Sequence, residues 1–380
     1  MGKKRGKNKV RAEFRKKHDQ RKRKRDFTRE TAQGGAETAE PLSERVSGKG
    51  NLTRKRTVFG ESQAVDQSSL GIQLEIDQSK SLQGRVLRVF GLASEVETED
   101  GTVYRCAIRG LLKSMSTDQR NVLVTGDIVL FHPILGTEQE GVIVRVESRH
   151  GIISRVSRGR QHVIAANVDL MLIVTSAAMP TIKPNLIDRL IVTAEQAGIE
   201  PVICINKIDL VKVEDLQPLA GVFGQLGYRV LFLSATHGIG VELLRAIVKG
   251  KESVVVGQSG VGKSSLLNAI EPGLDLKVTP VSDENQKGKH TTTTASLIKI
   301  SSGGHIVDTP GIRQFQLWNV IESEVPGLFR DIRPYVNGCR FPDCTHTHEA
   351  DCAVKHAVGD GRIDVRRYES FCQIMAGDMV

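Results

Sequence analysis

No stretch of the 380-residue sequence approaches the roughly 18 consecutive apolar residues that a membrane-spanning helix needs, which argues against an integral membrane protein. The N-terminus also lacks the apolar centre of a secretory signal. Position 6 is Gly where a myristoylation pattern requires Ser or Thr, so neither export nor a lipid anchor is expected. Aromatic residues are scarce, at 4% with a single Trp, which limits the surfaces available for stacking on bases. Cysteines number only six, and in the reducing cytoplasm implied by the missing signal they are expected as metal ligands or core residues rather than disulfides.

What is abundant is positive charge, and it is concentrated. Residues 1–30 hold 15 Lys or Arg against 4 Asp or Glu, whereas the rest of the chain holds 38 against 40. The net charge of +9 therefore belongs to one tail. Residues 1–81 show no sustained apolar period and read as a disordered basic and polar extension. Such an arm suits phosphate backbones through counterion release, and equally suits a solubilising tail or a localisation signal.

From Leu82 the pattern changes to short apolar runs at residues 85–90, 103–108, 122–124, 127–131 and 142–146, separated by Gly, Asp and Asn. Five strands within residues 82–156 fit a small all-β barrel of the OB type, and the pattern alone also suits an SH3-like barrel. Phe90, Tyr104 and Phe131 are the aromatics available there, for stacking or for the core.

The most specific motif is Gly257-Gln258-Ser259-Gly260-Val261-Gly262-Lys263-Ser264-Ser265, which lies between a strand-like run and a helix-like run. Its glycines let backbone N–H groups converge on phosphate oxygens at a helix N-terminus. Lys263 is expected to reach the β- and γ-phosphates, and the Ser264 hydroxyl to bind Mg²⁺. Asp308-Thr309-Pro310-Gly311 follows a second strand-like run. Asp308 is expected as the other magnesium contact and the Gly311 N–H as the γ-phosphate sensor. Residues 287–294, with four consecutive threonines, suit a switch loop in which one threonine closes on Mg²⁺. Within it, His290 is a candidate for positioning the attacking water, the alternative being a solvated loop histidine. Position 312 is Ile, so no glutamine follows Gly311 to orient that water.

Guanine selection is expected from Asn206-Lys207-Ile208-Asp209. The Asp209 carboxylate can accept from both N1 and N2 of guanine, a donor pair that adenine lacks. Asn206 answers the N7/O6 edge, Lys207 packs along the base, and the backbone of Ser234-Ala235-Thr236 supplies donors to O6. The motifs run base reader, P-loop, threonine loop and DxxG, a rotation of the usual order that predicts a circularly permuted α/β P-loop G domain over residues 160–318.

Beyond it, Cys339, Cys344, His346 and Cys352 form a C-x4-C-x-H-x5-C cluster suited to one structural, tetrahedral Zn²⁺ in a small helical domain over residues 320–380. His348 and His356 are alternatives to His346. Cys106, Cys204 and Cys372 sit in apolar surroundings and read as core residues. Gly311 precedes Cys339 by only 28 residues, so the zinc domain is expected to follow the switch in its movements.

The order of these motifs, the preceding barrel, residues 161–169 and residues 339–346 together resemble the ribosome small-subunit-dependent GTPase A family of bacterial circularly permuted GTPases. The resemblance covers roughly residues 82–375. It implies a cytoplasmic factor for late maturation of the 30S subunit, contact with ribosomal RNA through the barrel and zinc domain, and GTP hydrolysis stimulated by the subunit. A monomer is expected, with GTP or GDP and the small subunit and its rRNA as partners and no membrane. Two other readings are a permuted GTPase acting on the large subunit and an RNA-binding module whose GTP site is structural.

Overall fold

A computed structural model describes residues 9–13, 55–62, 72–74, 81–91, 93–109, 122–134, 136–157, 160–276, 295–308 and 322–377. The extension expected to lack regular structure contributes three short strands, β1 (Lys9–Glu13), β2 (Lys55–Ser62) and β3 (Ile72–Leu74), paired antiparallel in the order β1-β2-β3.

The barrel is built from β4 (Leu82–Phe90), β5 (Ala93–Thr98), β6 (Val103–Ile108), β7 (Ile128–Pro133) and β8 (Glu140–Val146). Their order is β4-β5-β6-β8-β7, and β7 returns to pair with β4, which closes the ring. The parallel β6–β8 pair and this closure define the OB-type topology. One expected strand is absent and one unexpected strand is present. Residues 122–124 are buried but form no strand: the Val124 N–H donates to the Asp127 carboxylate at 2.8 Å, and that carboxylate also takes Arg149 at 2.7 and 2.8 Å. The strand missed in the sequence is β5, whose inward residues are Ser94 and Val96; Ser94 gains its place by donating its hydroxyl to the Cys106 carbonyl. Val86, Val96, Cys106, Val129, Phe131 and Ile143 fill the interior.

A hairpin of β9 (Ile153–Ser157) and β10 (Arg160–Ala165) leads to the G domain. Its strands are β11 (Leu170–Ser176), β12 (Glu200–Asn206), β13 (Arg229–Phe232), β14 (Lys251–Val256), β15 (Ser296–Lys299) and β16 (Gly304–Asp308), in the order β13-β12-β11-β14-β16-β15. All pairs are parallel except β15–β16. Every residue of β11 is buried, as expected for a central strand covered on both faces. Helices α1 (Pro184–Ala197) and α2 (Gln217–Gln225) cover one face, and α3 (Val241–Val248) and α4 (Lys263–Ile270) the other. Only Lys249 and Gly250 join α3 to β14, with Gly250 at φ +67° and its N–H donating to the Gly303 carbonyl. This tight turn is where the permuted order is spliced.

The C-terminal module holds α5 (Val325–Leu328), α6 (Ala353–Gly359) and α7 (Val365–Met375) around Phe329, Ile332, Val354, Ile363 and Phe371. Val192 of α1 belongs to the same core, so this module shares its interior with the G domain. Among the described residues no helix is long and apolar enough to cross a membrane.

Candidate nucleotide site and metal centre

The parallel strands carry the expected motifs to one edge of the G domain. β14 ends at Val256 and passes into the glycine loop, from which α4 starts at Lys263. Two of its glycines are required by close packing. Gly257 has φ +143° and lies against the Val174 carbonyl, while Gly262 has φ +92° and lies against the Asn206 amide. A Cβ at either position would collide with its neighbour. Lys263 Nζ donates to the carbonyls of Gly257 and Gln258 at 2.8 and 2.7 Å, so its ammonium lies over the loop. Ser264 and Ser265, both half-buried, fall in the first turn of α4; Ser259 is at the exposed tip of the loop.

Asn206 is 1% exposed and acts as a brace. Its amide donates to the Val261 carbonyl at 3.0 Å, and its Oδ1 accepts from the Ala235 N–H at 3.2 Å. It thereby ties the P-loop to the Ser234–Ala235 turn. Lys207 adopts φ +63°, an uncommon conformation for a residue with a Cβ. That backbone directs its Nζ to the carbonyls of Gly260 and Met179, at 2.7 Å each. Ile208 is buried and its N–H donates to the Leu233 carbonyl, leaving the Asp209 side chain near the opening. His237 Nδ1 lies 3.8 Å from Asp209 Oδ2 and within 3.2 Å of the Ser234 hydroxyl. The Met179 carbonyl and His237 are neighbours that the motifs do not announce, because they come from separate loops without a fixed spacing.

Asp308 ends β16, the strand beside β14, at the same edge of the sheet as the P-loop. Gly311, His290 and the threonines at 291–294 lie outside the described residues.

The cysteine–histidine cluster assembles as expected. One donor atom from each of Cys339, Cys344, His346 and Cys352 lies within 4.8 Å of all the others. Cys339 and Cys352 sulfurs are 3.8 Å apart, and His346 Nδ1 is 3.3 and 3.6 Å from them. A tetrahedral zinc with bonds of about 2.3 Å to sulfur and about 2.0 Å to nitrogen gives edges of about 3.5 to 3.8 Å. The donor set fits structural zinc. His346 is buried at φ +63°, with its carbonyl accepting from the Tyr368 hydroxyl at 2.8 Å. His348 and His356 are exposed and outside the cluster. Glu349 folds the knuckle by accepting from the N–H and hydroxyl of Thr345, both at 2.7 Å. Desolvation opposes its charge, but these bonds outweigh it and hold the carboxyl at about 2. Cys106 and Cys204 are core thiols that burial pushes up to about 12, and Cys372 packs at the edge of the C-terminal core.

Strand order, motif order and the two-residue splice define the class: a circularly permuted GTPase preceded by an OB-type barrel. Comparison with known proteins agrees. The family model for RsgA GTPase matches residues 146–318. The small ribosomal subunit biogenesis GTPase RsgA of Pseudomonas fluorescens Pf-5 is 41% identical over 329 residues, covering 84% of this chain and 91% of the relative. Its counterpart in Pseudomonas aeruginosa LESB58 is 42% identical over 325 residues, with the same coverage. The crystal structure of YjeQ from Thermotoga maritima matches with a TM-score of 0.65 and 34% identity, over 78% of this chain and 98% of that one. YloQ, a circularly permuted GTPase, matches with a TM-score of 0.63 and 28% identity, over 80% and 96%. The chain belongs to the RsgA GTPase family.

Proposed function

We propose that this GTPase acts in late maturation of the small (30S) ribosomal subunit, as a cytoplasmic monomer that binds ribosomal RNA and is stimulated by the subunit. The observation that carries the nucleotide half of this reading is the Asn206 brace, which links the base-reading turn to the phosphate-binding loop. The partner half rests on relatives more than 40% identical that are named for small-subunit biogenesis.

In this reading Asp209 accepts from guanine N1 and N2, and Lys207 lies along the base. The backbone of Ser234-Ala235-Thr236 supplies donors to O6, the Ala235 N–H being shared with Asn206 Oδ1. The N–H groups of residues 257–265 surround the phosphates, and Lys263 leaves its loop carbonyls for the β- and γ-phosphate oxygens. Ser264 and Asp308 hold Mg²⁺, which neutralises charge on the phosphates when bound. Gly311 senses the γ-phosphate and His290 positions the attacking water. Zinc on Cys339, Cys344, His346 and Cys352 supports folding of the C-terminal module rather than chemistry, since all four positions are filled by protein.

The test is the GTPase rate of the full chain alone, with isolated small subunits, and with isolated large subunits. Stimulation by small subunits alone is expected. Stimulation by large subunits alone would overturn the choice of partner, and GTP binding without turnover in any mixture would overturn the catalytic reading.

A further inference from the structure

The barrel meets the G domain at the roots of both nucleotide-sensing segments. The Thr125 hydroxyl donates to the Ala295 carbonyl at 2.8 Å, and Ala295 immediately follows the threonine loop. Ser296 of β15 pairs with Arg88 of β4. The second attachment is a charged cluster around His305, on the strand that ends at Asp308. His305 Nδ1 lies 3.1 Å from Glu252 on β14, and its Nε2 lies 3.0 Å from Glu97 on β5 of the barrel. Glu97 also accepts from Lys299 of β15 at 2.6 Å, and Arg85 of β4 reaches Glu252 at 3.4 Å. The side chains of His305, Glu97 and Glu252 are each about one-tenth exposed.

Ionised carboxylates only accept hydrogen bonds, so both ring nitrogens of His305 must donate to satisfy this geometry. The ring that can do so is the imidazolium. Desolvation disfavours its charge, but Glu252 and then Glu97 outweigh it, raising the imidazole above its ordinary 6.5. Reciprocally, burial raises the Glu97 carboxyl while Lys299 and His305 lower it, with a net result below the ordinary range. Among the described residues Arg85 Nη1 and Glu252 Oε2 are buried here without hydrogen-bond partners, so the cluster has not used all its bonding capacity within that set.

We propose that His305, as an imidazolium clamped between Glu252 and Glu97, is a positioning residue that joins the barrel to the two strands delivering the P-loop and Asp308. Across the sheet His305 is in register with Glu252 on β14 and with Lys299 on β15, so the clamp fixes β16 against both neighbours. Deprotonation removes one donor and leaves two carboxylates facing a neutral ring. The barrel then loosens from β16, and Asp308 loses its fixed place beside the P-loop. GTP affinity is set mainly by the base reader and the P-loop, so kcat should fall with little change in KM. This rests on the GTP-hydrolysing reading of the site.

The full chain serves as the test, with wild type, Glu97→Gln and His305→Gln compared from about pH 6 to about pH 9. His305 is assigned as the histidine ring resonance missing from His305→Gln. In wild type it should titrate above the ordinary 6.5, and Glu97→Gln should move that titration to lower pH. The wild-type kcat should show an alkaline limb that moves with it. In His305→Gln the limb should vanish and kcat should be about tenfold lower, with KM for GTP within about twofold. A His305 titration at or below the ordinary value, or one unmoved by Glu97→Gln, would overturn the proposal whatever the turnover. So would wild-type kcat and an unaltered limb in His305→Gln. A wild type that hydrolyses no GTP would instead remove the catalytic reading, while the ring titration would still decide the clamp.

Discussion

The barrel and the zinc module both dock on the G domain, and their attachments differ in chemistry. At the zinc module, Arg367 of α7 is 0% exposed and reaches Asp331 at 2.8 and 3.0 Å and Asp188 of α1 at 2.7 Å. Its guanidinium also lies over the Phe329 ring, 4.6 Å from the centroid. Arg366 adds a second bond to Asp188, and Arg330 reaches Glu195 at 2.7 Å. Arginine does not titrate in the working range, so this joint holds one charge state. The barrel joint depends on a histidine that does titrate. The module that follows the switch in sequence is thus bonded to α1, which packs on the strand carrying Asn206, while the barrel, far upstream in sequence, is bonded to the strand carrying Asp308. Chain connectivity suggests that the zinc module follows the switch; among the described residues, the barrel is the module bonded to the strand that ends at Asp308.

The zinc joint can be broken most severely through its metal. One zinc per chain is expected by elemental analysis, and Cys344→Ser should lose it together with the thermal transition of the C-terminal module. Structural zinc contributes about 10–16 kcal/mol to folding in isolated fingers, well beyond what the small core around Phe329 and Phe371 could replace. Zinc-free wild-type protein would refute the site.

The next largest effect should come from Arg367→Ala. Removing this side chain leaves Asp188 and Asp331 buried without their main cation, at a cost of about 3–5 kcal/mol measured by calorimetry. Arg367→Lys should recover little, because an ammonium cannot form the two-pronged contact with Asp331. A loss below about 1 kcal/mol would mean that the apolar core shared with Val192, rather than the ion cluster, secures the module.

In the proposed base site, where Asp209 would accept from two guanine donors, Asp209→Asn puts an amide that can accept only through its oxygen. About 1.5–3 kcal/mol should be lost, roughly 10- to 100-fold in GTP affinity by titration, with a gain for xanthine nucleotides. Unchanged affinity would remove Asp209 from the base site.

What could be read in the sequence was whatever is contiguous. The P-loop, the Asn206–Asp209 run and the zinc knuckle each keep their spacing on one loop, and each assembles into one neighbourhood. Strand β5 escaped because its inward residue Ser94 is polar and its place depends on a bond to Cys106, a contact that no apolar pattern encodes. The His305 clamp was illegible for a different reason. Its members come from positions 85, 97, 252, 299 and 305, and only the docking of the barrel brings them together. His346, the ligand expected over His348, is the histidine found in the cluster, at φ +63° with Nδ1 3.3 Å from the Cys339 sulfur.

The smallest effect should be the most discriminating for the barrel joint. Lys299 is 60% exposed, so its pair with Glu97 contributes no more than about 1 kcal/mol, and Lys299→Ala should scarcely alter stability near neutral pH. It should alter how stability depends on pH. Lys299 and His305 share Glu97, and removing the lysine leaves that carboxylate to the imidazolium alone. The folded-state pKa of His305 should therefore rise further above the ordinary 6.5. A group raised on folding contributes its full stabilisation below its unfolded pKa and loses it as pH climbs through its folded pKa. Lys299→Ala should thus retain the clamp at alkaline pH values where wild type has begun to lose it, and the gap between their thermal midpoints should narrow or reverse as pH rises. Glu97→Gln should do the opposite, losing the stabilisation at lower pH than wild type. Arg85 and Glu252 are unchanged in both variants, so their charges cancel from the comparison. Parallel curves for all three proteins would mean that the His305 clamp does not set how the barrel joint responds to pH, and that the bonds which do not titrate, such as Thr125 to Ala295 and the β4–β15 pairing, carry it.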